Sequence, residues 1–320
     1  MKGTIEQNDL FGGALFSRVA SPVNIASVTQ RSPFRYPGGK TWLVPHVRKW
    51  LKSLDSVPTD FVEPFVGGGI ISLTVAAERL ADRVTMVELD KQVAAVWHTI
   101  INDNEGLWLA DRIATFDIST ITPDELRNLD NSNDLSRREQ AFKTILKNRT
   151  FHGGILAPGS GPIKHGENGK GIASRWYPET LRKRIVGIDH TKERIDFIEG
   201  DGLEVLRHQA AKSKSVFFID PPYSVAGKGK SAGRRLYSCF ELDHHRLFEL
   251  TSKIAGDFLM TYDNADEVLE LAKEFGFDTE PVAMKNTHHA EMTELLIGRN
   301  LDWARRRPRT RLTIDAPHVN

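Results

Sequence analysis

The sequence has a single cysteine, Cys239, among 320 residues. One thiol cannot build a disulfide framework or a cysteine-based zinc site within the chain, and its scarcity fits a reducing compartment. No apolar run approaches the roughly 18 residues that a membrane span needs. The formal net charge of +1 leaves no overall polycation. Any surface for nucleic acid must come from local clustering of basic residues. The first residues, MKGTIEQNDLFGGALFSRVA, lack a long apolar core and do not read as a secretory signal. The one triple-glycine turn, Gly67 to Gly69, fits neither G-x-x-x-x-G-K-[ST] nor G-x-G-x-x-G. That excludes the standard nucleotide and dinucleotide fingerprints there. Internal repeats and low-complexity blocks are lacking too.

What is present is an ordinary globular balance, with 40% hydrophobic and 27% charged residues. DFVEPFVGGGIISLTVAAERL reads as a strand, a glycine loop and a helix. DRVTMVELD and KQVAAVWHTIIN continue as strand and helix. This alternation predicts an α/β unit with a parallel sheet. It lapses over roughly 105–194 and resumes with RIDFIEGD, GLEVLRHQAA, SVFFID, LDHHRLFELTSKI and DFLMTYD. TEPVAM and TELLIGRN suit a terminal antiparallel pair. The predicted organisation is a core at 31–104 and 195–300, an insert at 105–194, a loose arm at 1–30 and a basic tail at 301–320.

Within the insert, Thr122 in TPDEL is a helix-start signal. Residues 141–195 are rich in lysine and arginine and poor in acids. HGGILAPGSGPIKHGENGKG, inside that segment, reads as a loop or a loosely formed hairpin. Lys147, Arg149, Lys164, Lys170 and Arg175 are the candidate contacts to a nucleic-acid backbone, and Lys228 and Lys230 extend them. Arg305 and the tail arginines after it could add salt-sensitive affinity or merely solubilise. His244 and His245 are adjacent and would diverge on a helix, with no ligand spacing beside them, so no metal is expected.

Acids stand at the ends of the predicted strands. Glu88 follows the second strand, where an acid can take the hydroxyls of a ribose, with Asp90 as an alternative or a helix cap. Asp201 could cap the next helix or accept from an adenine amine. Asp220, Pro221, Pro222 and Tyr223 close the SVFFI strand. Two prolines end the strand and stiffen the turn. An exocyclic amine of a nucleobase is a poor nucleophile because its lone pair is delocalised. A carboxylate at Asp220 and a carbonyl at Pro221 could hold its two hydrogens and free that pair. Tyr223 offers a face for the base to stack on.

FRYPGGK, FVEPFVGGG and DPPY, in that order, resemble the Dam-like, alpha-class family of DNA adenine-N6 methyltransferases. LKNRTFHGG, SRWYPETLRKRI and TYDNADEV are similar to family segments too. The resemblance spans about 32–300. It implies S-adenosylmethionine as methyl donor and double-stranded DNA as substrate. It implies a Rossmann-like, seven-strand methyltransferase core carrying an inserted target-recognition domain. It assigns Tyr36, Pro37, Gly38, Gly39 and Lys40 to the first cofactor motif. Glu63, Pro64, Phe65, Gly67 and Gly69 would hold the methionine part, Glu88 the ribose, Asp201 the adenine, and Asp220 to Tyr223 the target base. The chain departs from the best-known members: a glycine replaces a common alanine in the loop, Glu88 replaces an aspartate, and the GATC-reading sequence is lacking. Bacterial or phage cytoplasm and a restriction endonuclease counterpart are further expectations. Cytosine-N4 transfer, an RNA substrate and a non-catalytic DNA-binding regulator are the rival readings. Cys239 follows a serine rather than a proline, which speaks against a cysteine-dependent carbon methylation.

Overall fold

A computed structural model describes residues 27–35, 39–129, 135–222, 242–285 and 291–305. Tyr36, Pro37, Gly38, Tyr223, Lys228, Lys230 and Cys239 lie outside the described residues.

The run SVFFI shows how the sheet forms. All five residues of β4 (Ser215–Ile219) are buried. Val216 and Phe218 enter one core, Phe217 and Ile219 the other. A strand covered on both faces reads as unbroken apolar sequence, which is the mark of a central parallel strand. The strand stops where Pro221 and Pro222 can donate nothing to the ladder. β1 (Asp60–Glu63), β2 (Arg83–Glu88), β3 (Ile195–Glu199), β5 (Asp257–Asp263), β6 (Asp278–Lys285) and β7 (Glu291–Gly298) complete the sheet. The spatial order is β3-β2-β1-β4-β5-β7-β6. β3, β2, β1, β4 and β5 run parallel, while β7 is antiparallel to both β5 and β6. The winding reverses between β1 and β4, so a crevice opens beyond their carboxyl ends.

α1 (Val44–Ser53), α2 (Ile70–Glu78) and α3 (Lys91–Trp97) cover one face. α8 (Gly202–Gln209), α9 (His244–Ser252) and α10 (Asp266–Glu274) cover the other; the numbers between belong to the insert. Asp90 caps α3 by accepting from the Gln92 and Val93 N–H groups, so the capping alternative for this acid is the one observed. α3 continues into a π-helical turn at His98–Asn102.

The insert supplies α4 (Gly106–Thr115), α5 (Pro123–Arg127), α6 (Arg137–Thr150) and α7 (Pro178–Asp189). Thr122 and Glu125 form a reciprocal capping box at the start of α5, as TPDEL predicts. The glycine-rich stretch is a loose hairpin: Phe151 bridges Pro162, and the His152 N–H donates to the Gly161 carbonyl. Leu109, Ile113, Ile145, Leu146, Leu181 and Ile185 share one hydrophobic core with α1 to α3. The two ends also differ from the expected boundaries. Val28 and Leu301 are both buried in that core. Arg305 is engaged with Asp278, Glu280 and Asp302.

Candidate active site

Each of the parallel strands β1, β2, β3 and β4 ends at or just before an acid, and the loops behind those strands hold the acids in one crevice. β1 ends in Glu63, almost fully buried. Its Oε2 accepts from the Ser72 N–H at 3.0 Å and from the Ser72 hydroxyl. Burial pushes the Glu63 carboxyl up to about 8, against the pull of those two donors. Glu63 Oε1 has no partner among the described residues.

The loop after β1 turns sharply at Gly67 and Gly69, with φ of 46° and 65°. A Cβ on Gly69 would meet the Trp97 ring at 3.0 Å and Met86 at 3.1 Å. Glycine is therefore required there twice over, by conformation and by space. Trp97 fixes the loop from below, its indole N–H donating to the Gly67 carbonyl at 3.0 Å. The Gly67 N–H donates to Glu88 Oε2 at 2.9 Å. Glu88 Oε1 accepts from the Leu89 and Asp90 N–H groups. Burial pushes the Glu88 carboxyl up to about 7, in spite of three backbone donors.

Asp201 follows β3 and caps α8 through the Leu203 N–H at 2.9 Å. Its neighbour Gly202 lies so close to the first loop that a Cβ would stand 2.3 Å from the Pro64 carbonyl oxygen. Asp201 is thus held next to Pro64 and Phe65. Of the two roles the sequence leaves open for Asp201, the cap is observed, and its exposed position leaves the second available.

Asp220 follows β4. Its Oδ1 accepts from the Thr261 hydroxyl at 2.7 Å and lies 3.2 Å from the Lys40 ammonium. Lys40 is 5% exposed and also faces both oxygens of Glu294, at 3.3 and 3.4 Å. Burial pushes Glu294 up to about 7 and raises Asp263 as well. Sequence reasoning missed Thr261, Asp263 and Glu294. The signal for Glu294 was a lone carboxylate inside the apolar run of TELLIG, where a charge needs a partner.

The basic candidates separate. Lys164 and Lys170 are exposed. Arg175 is partly exposed and paired with Glu167. Lys147 and Arg149 are corrections: both are buried, so neither offers its charge at the surface. Lys147 lies over the Phe151 ring, its ammonium 5.6 Å from the centroid. Arg149 donates to the Pro33 carbonyl, and burial beside Arg184, Arg35 and Arg175 pushes it down to about 9. The reason is visible in α6, where every residue from Thr144 to Thr150 is buried. Asn148 accepts from the Arg35 N–H at 2.8 Å and donates to the Arg35 and Gly154 carbonyls at 2.8 and 2.7 Å. Arg184 donates to the Ser32 carbonyl at 2.9 Å. The insert therefore straps residues 32–35, a short distance before Gly39 and Lys40 in the sequence.

His244 meets the Tyr262 hydroxyl at 2.8 Å and His245 meets Glu274 at 3.2 Å, so the adjacent pair diverges.

The chain is similar in outline to an rRNA methyltransferase from Streptomyces viridochromogenes, with 13% identity and a TM-score of 0.36 over 82% of this chain and 85% of that one. It is similar also to a precorrin-6y C5,15-methyltransferase from Geobacter metallireducens, with 9% identity and a TM-score of 0.30 over 79% and 84%. Likenesses of that size carry no argument, and the strand order speaks for itself. No curated protein matches the chain significantly. The family model for the D12 class of N6 adenine-specific DNA methyltransferases matches residues 36–285. That range takes in the glycine loop, the strand-end acids, the strapped insert and the DPPY turn in a single match, and by it the chain belongs to the D12 class N6 adenine-specific DNA methyltransferases.

Proposed function

We propose that the crevice at the ends of β1, β2, β3 and β4 carries out adenine-N6 transfer with the division of labour that follows. Membership in the family means methyl transfer from S-adenosylmethionine to the N6 amine of adenine in DNA. The residues fit such a cofactor. Glu63 keeps Oε1 without a hydrogen bond among the described residues and has a raised proton affinity, which suits an ammonium group. Glu88 keeps one acceptor site, on Oε2, after its three backbone donors, which suits a ribose hydroxyl. Asp201, beside Pro64 and Phe65, suits an adenine amine. Tyr36, Pro37, Gly38, Gly39 and Lys40 complete the cofactor motif in this reading. The cofactor supplies an electrophilic methyl group on a sulfonium.

Asp220 and the Pro221 carbonyl hold the two hydrogens of the target amine, and Tyr223 stacks on the base. The base has to leave the duplex to reach them, at a cost of a few kcal/mol. Lys40 and Thr261 fix one oxygen of Asp220, so positioning and hydrogen bonding carry the catalysis. Lys164, Lys170, Arg175, Lys228 and Lys230 form the DNA surface, on the 105–194 segment as target-recognition region and just beyond the DPPY turn. The single observation that carries the reading is the Asp220 carboxylate held by Thr261 and Lys40 at the switch point of the sheet. A restriction endonuclease counterpart is a proposal that rests on the family's chemistry alone.

Asp220→Asn tests the assignment. Single-turnover transfer from labelled cofactor to duplex DNA is expected to fall by at least about 10²-fold. Cofactor affinity is expected to stay near the parent value. Normal turnover in this variant would remove Asp220 from its role.

A further inference from the structure

Methyl transfer leaves a proton to be disposed of. The amine lone pair forms the new N–C bond, and the pair of the broken methyl–sulfur bond stays on sulfur. The nitrogen is then one proton too rich. Asp220 is the nearest base in the reading above, but a carboxylic acid left at Asp220 would no longer match the ammonium of Lys40.

Behind Lys40 lies a second carboxylate. Glu294 sits on β7 with 5% exposure. Its Oε2 is shielded from solvent and receives no hydrogen bond of normal geometry, although it lies 3.3 Å from the Lys40 ammonium. Oε1 accepts from that ammonium at 3.4 Å. On the far side of Lys40, Asp220 Oδ1 is 3.2 Å away. One buried ammonium thus touches two carboxylates, one toward the reacting amine and one away from it.

We infer that Glu294 is the terminal proton acceptor of the transfer site, reached from Asp220 through the ammonium of Lys40. The excess proton passes from the amine to Asp220. Lys40 gives one of its protons to Glu294 and takes the proton of Asp220. Asp220 ends as a carboxylate, Lys40 as an ammonium and Glu294 as a carboxylic acid, so one proton has moved and no charge is created or lost. Once the product has left, the proton returns through Lys40 to Asp220, whose side chain is 21% exposed, and passes to solvent.

The surroundings of Glu294 support this. From β5 it faces Asp263, its partner in register; from the β4 end, Asp220; from the turn before α1, Lys40; from β6, the uncharged Val282. Burial and the two aspartates raise its proton affinity, and Lys40 lowers it, leaving it at about 7. An acceptor balanced near neutrality both takes a proton and gives it up. Ordinary support of a buried lysine needs no such balance, since a carboxylate with a lower proton affinity would pair with Lys40 as well.

The inference rests on the role given to Asp220, and Glu294→Gln in the full-length protein separates the two. Glutamine keeps the shape and an acceptor for Lys40 but takes no proton. The single-turnover rate with duplex DNA is expected to fall about 10²-fold, within the usual contribution of a positioned proton acceptor. The rise of rate with pH through about 7, where Glu294 ionises in the parent, is expected to vanish. Cofactor affinity should stay within about twofold, since no contact to it is assigned to Glu294. A parent-like rate and profile would overturn the inference, even with Asp220→Asn inactive. Activity retained in Asp220→Asn would instead sink the assignment of the site itself. If Glu294→Gln does not fold, Glu294→Asp carries the test. A displaced pH limb is expected there, and an unmoved one would refute the relay.

Discussion

At the scale of residues, the described part of the site sets three buried carboxylates, Glu63, Glu88 and Glu294, against the buried ammonium of Lys40. Glu63 and Glu88 have folded-state values of about 8 and 7, above the ordinary range for glutamate. The folded protein therefore holds protons that the unfolded chain has released. Their contribution to stability is fully present below the unfolded value and is lost as pH rises through the folded ones. The unliganded protein is expected to be less stable at pH 8.5 than at pH 5.5 in urea titrations, as far as these groups decide. In Glu63→Gln the difference between the two pH values should shrink. Cofactor binding should act in the opposite sense, because hydroxyl and ammonium donors favour the ionised carboxylates. Binding at pH 7 is then expected to release protons, seen in calorimetry as a heat that varies with the ionisation enthalpy of the buffer. A heat independent of buffer would count against Glu63 and Glu88 as cofactor ligands.

At the scale of elements, the first loop and α2 show how local chemistry places the site. Gly69 starts α2 in a left-handed conformation and lies against Trp97. Gly69→Ala is expected to cost about 1–2 kcal/mol from backbone conformation alone. Displacement of the Trp97 ring should add to that. Equilibrium unfolding measures the loss, and weakened cofactor binding should accompany it. Such features were legible because they are local. The glycine loop, the prolines after β4, the capping box at Thr122 and the alternation of strands and helices each declare themselves within a dozen residues. Asp220 belongs to the same class. Thr261 and Glu294 do not, because their proximity to Asp220 depends on the pairing of β5 with β4 and with β7. The buried Lys147 and Arg149 were read as surface for a related reason. The basic composition of 141–195 says nothing about which parts of a helix are covered, and α6 is covered all round at its carboxyl end.

At the scale of the whole molecule, charge is divided by location rather than by amount. The net charge is +1, yet Lys164 and Lys170 stand exposed on the insert while, among the described residues, Glu63, Glu88, Asp201 and Asp220 gather at the ends of the parallel strands. DNA affinity should therefore fall with salt through contacts made largely by the insert. Neutralising Lys164 and Lys170 together is expected to reduce the slope of log affinity against log salt by about 2 if each meets one phosphate. An unchanged slope would move the DNA surface elsewhere. Arg305 is not expected to contribute, since Asp278, Glu280 and Asp302 already hold it.

The hold of Asn148, Arg149 and Arg184 on residues 32–35 has a bearing on how such a protein can change its target. A segment that holds residues 32–35 in place is not a cassette that can be exchanged whole. Replacing all of 105–194 would leave the Arg35 N–H and the Ser32, Pro33 and Arg35 carbonyls to find new partners, and would strip one side from the common core. The stretch between Phe151 and Trp176 is different. Its ends are anchored by buried aromatic rings, and most of its middle is exposed. If the 105–194 segment reads the target as proposed, exchanging that stretch alone, with α6 and α7 kept as its frame, is expected to alter the recognition sequence without unfolding the protein.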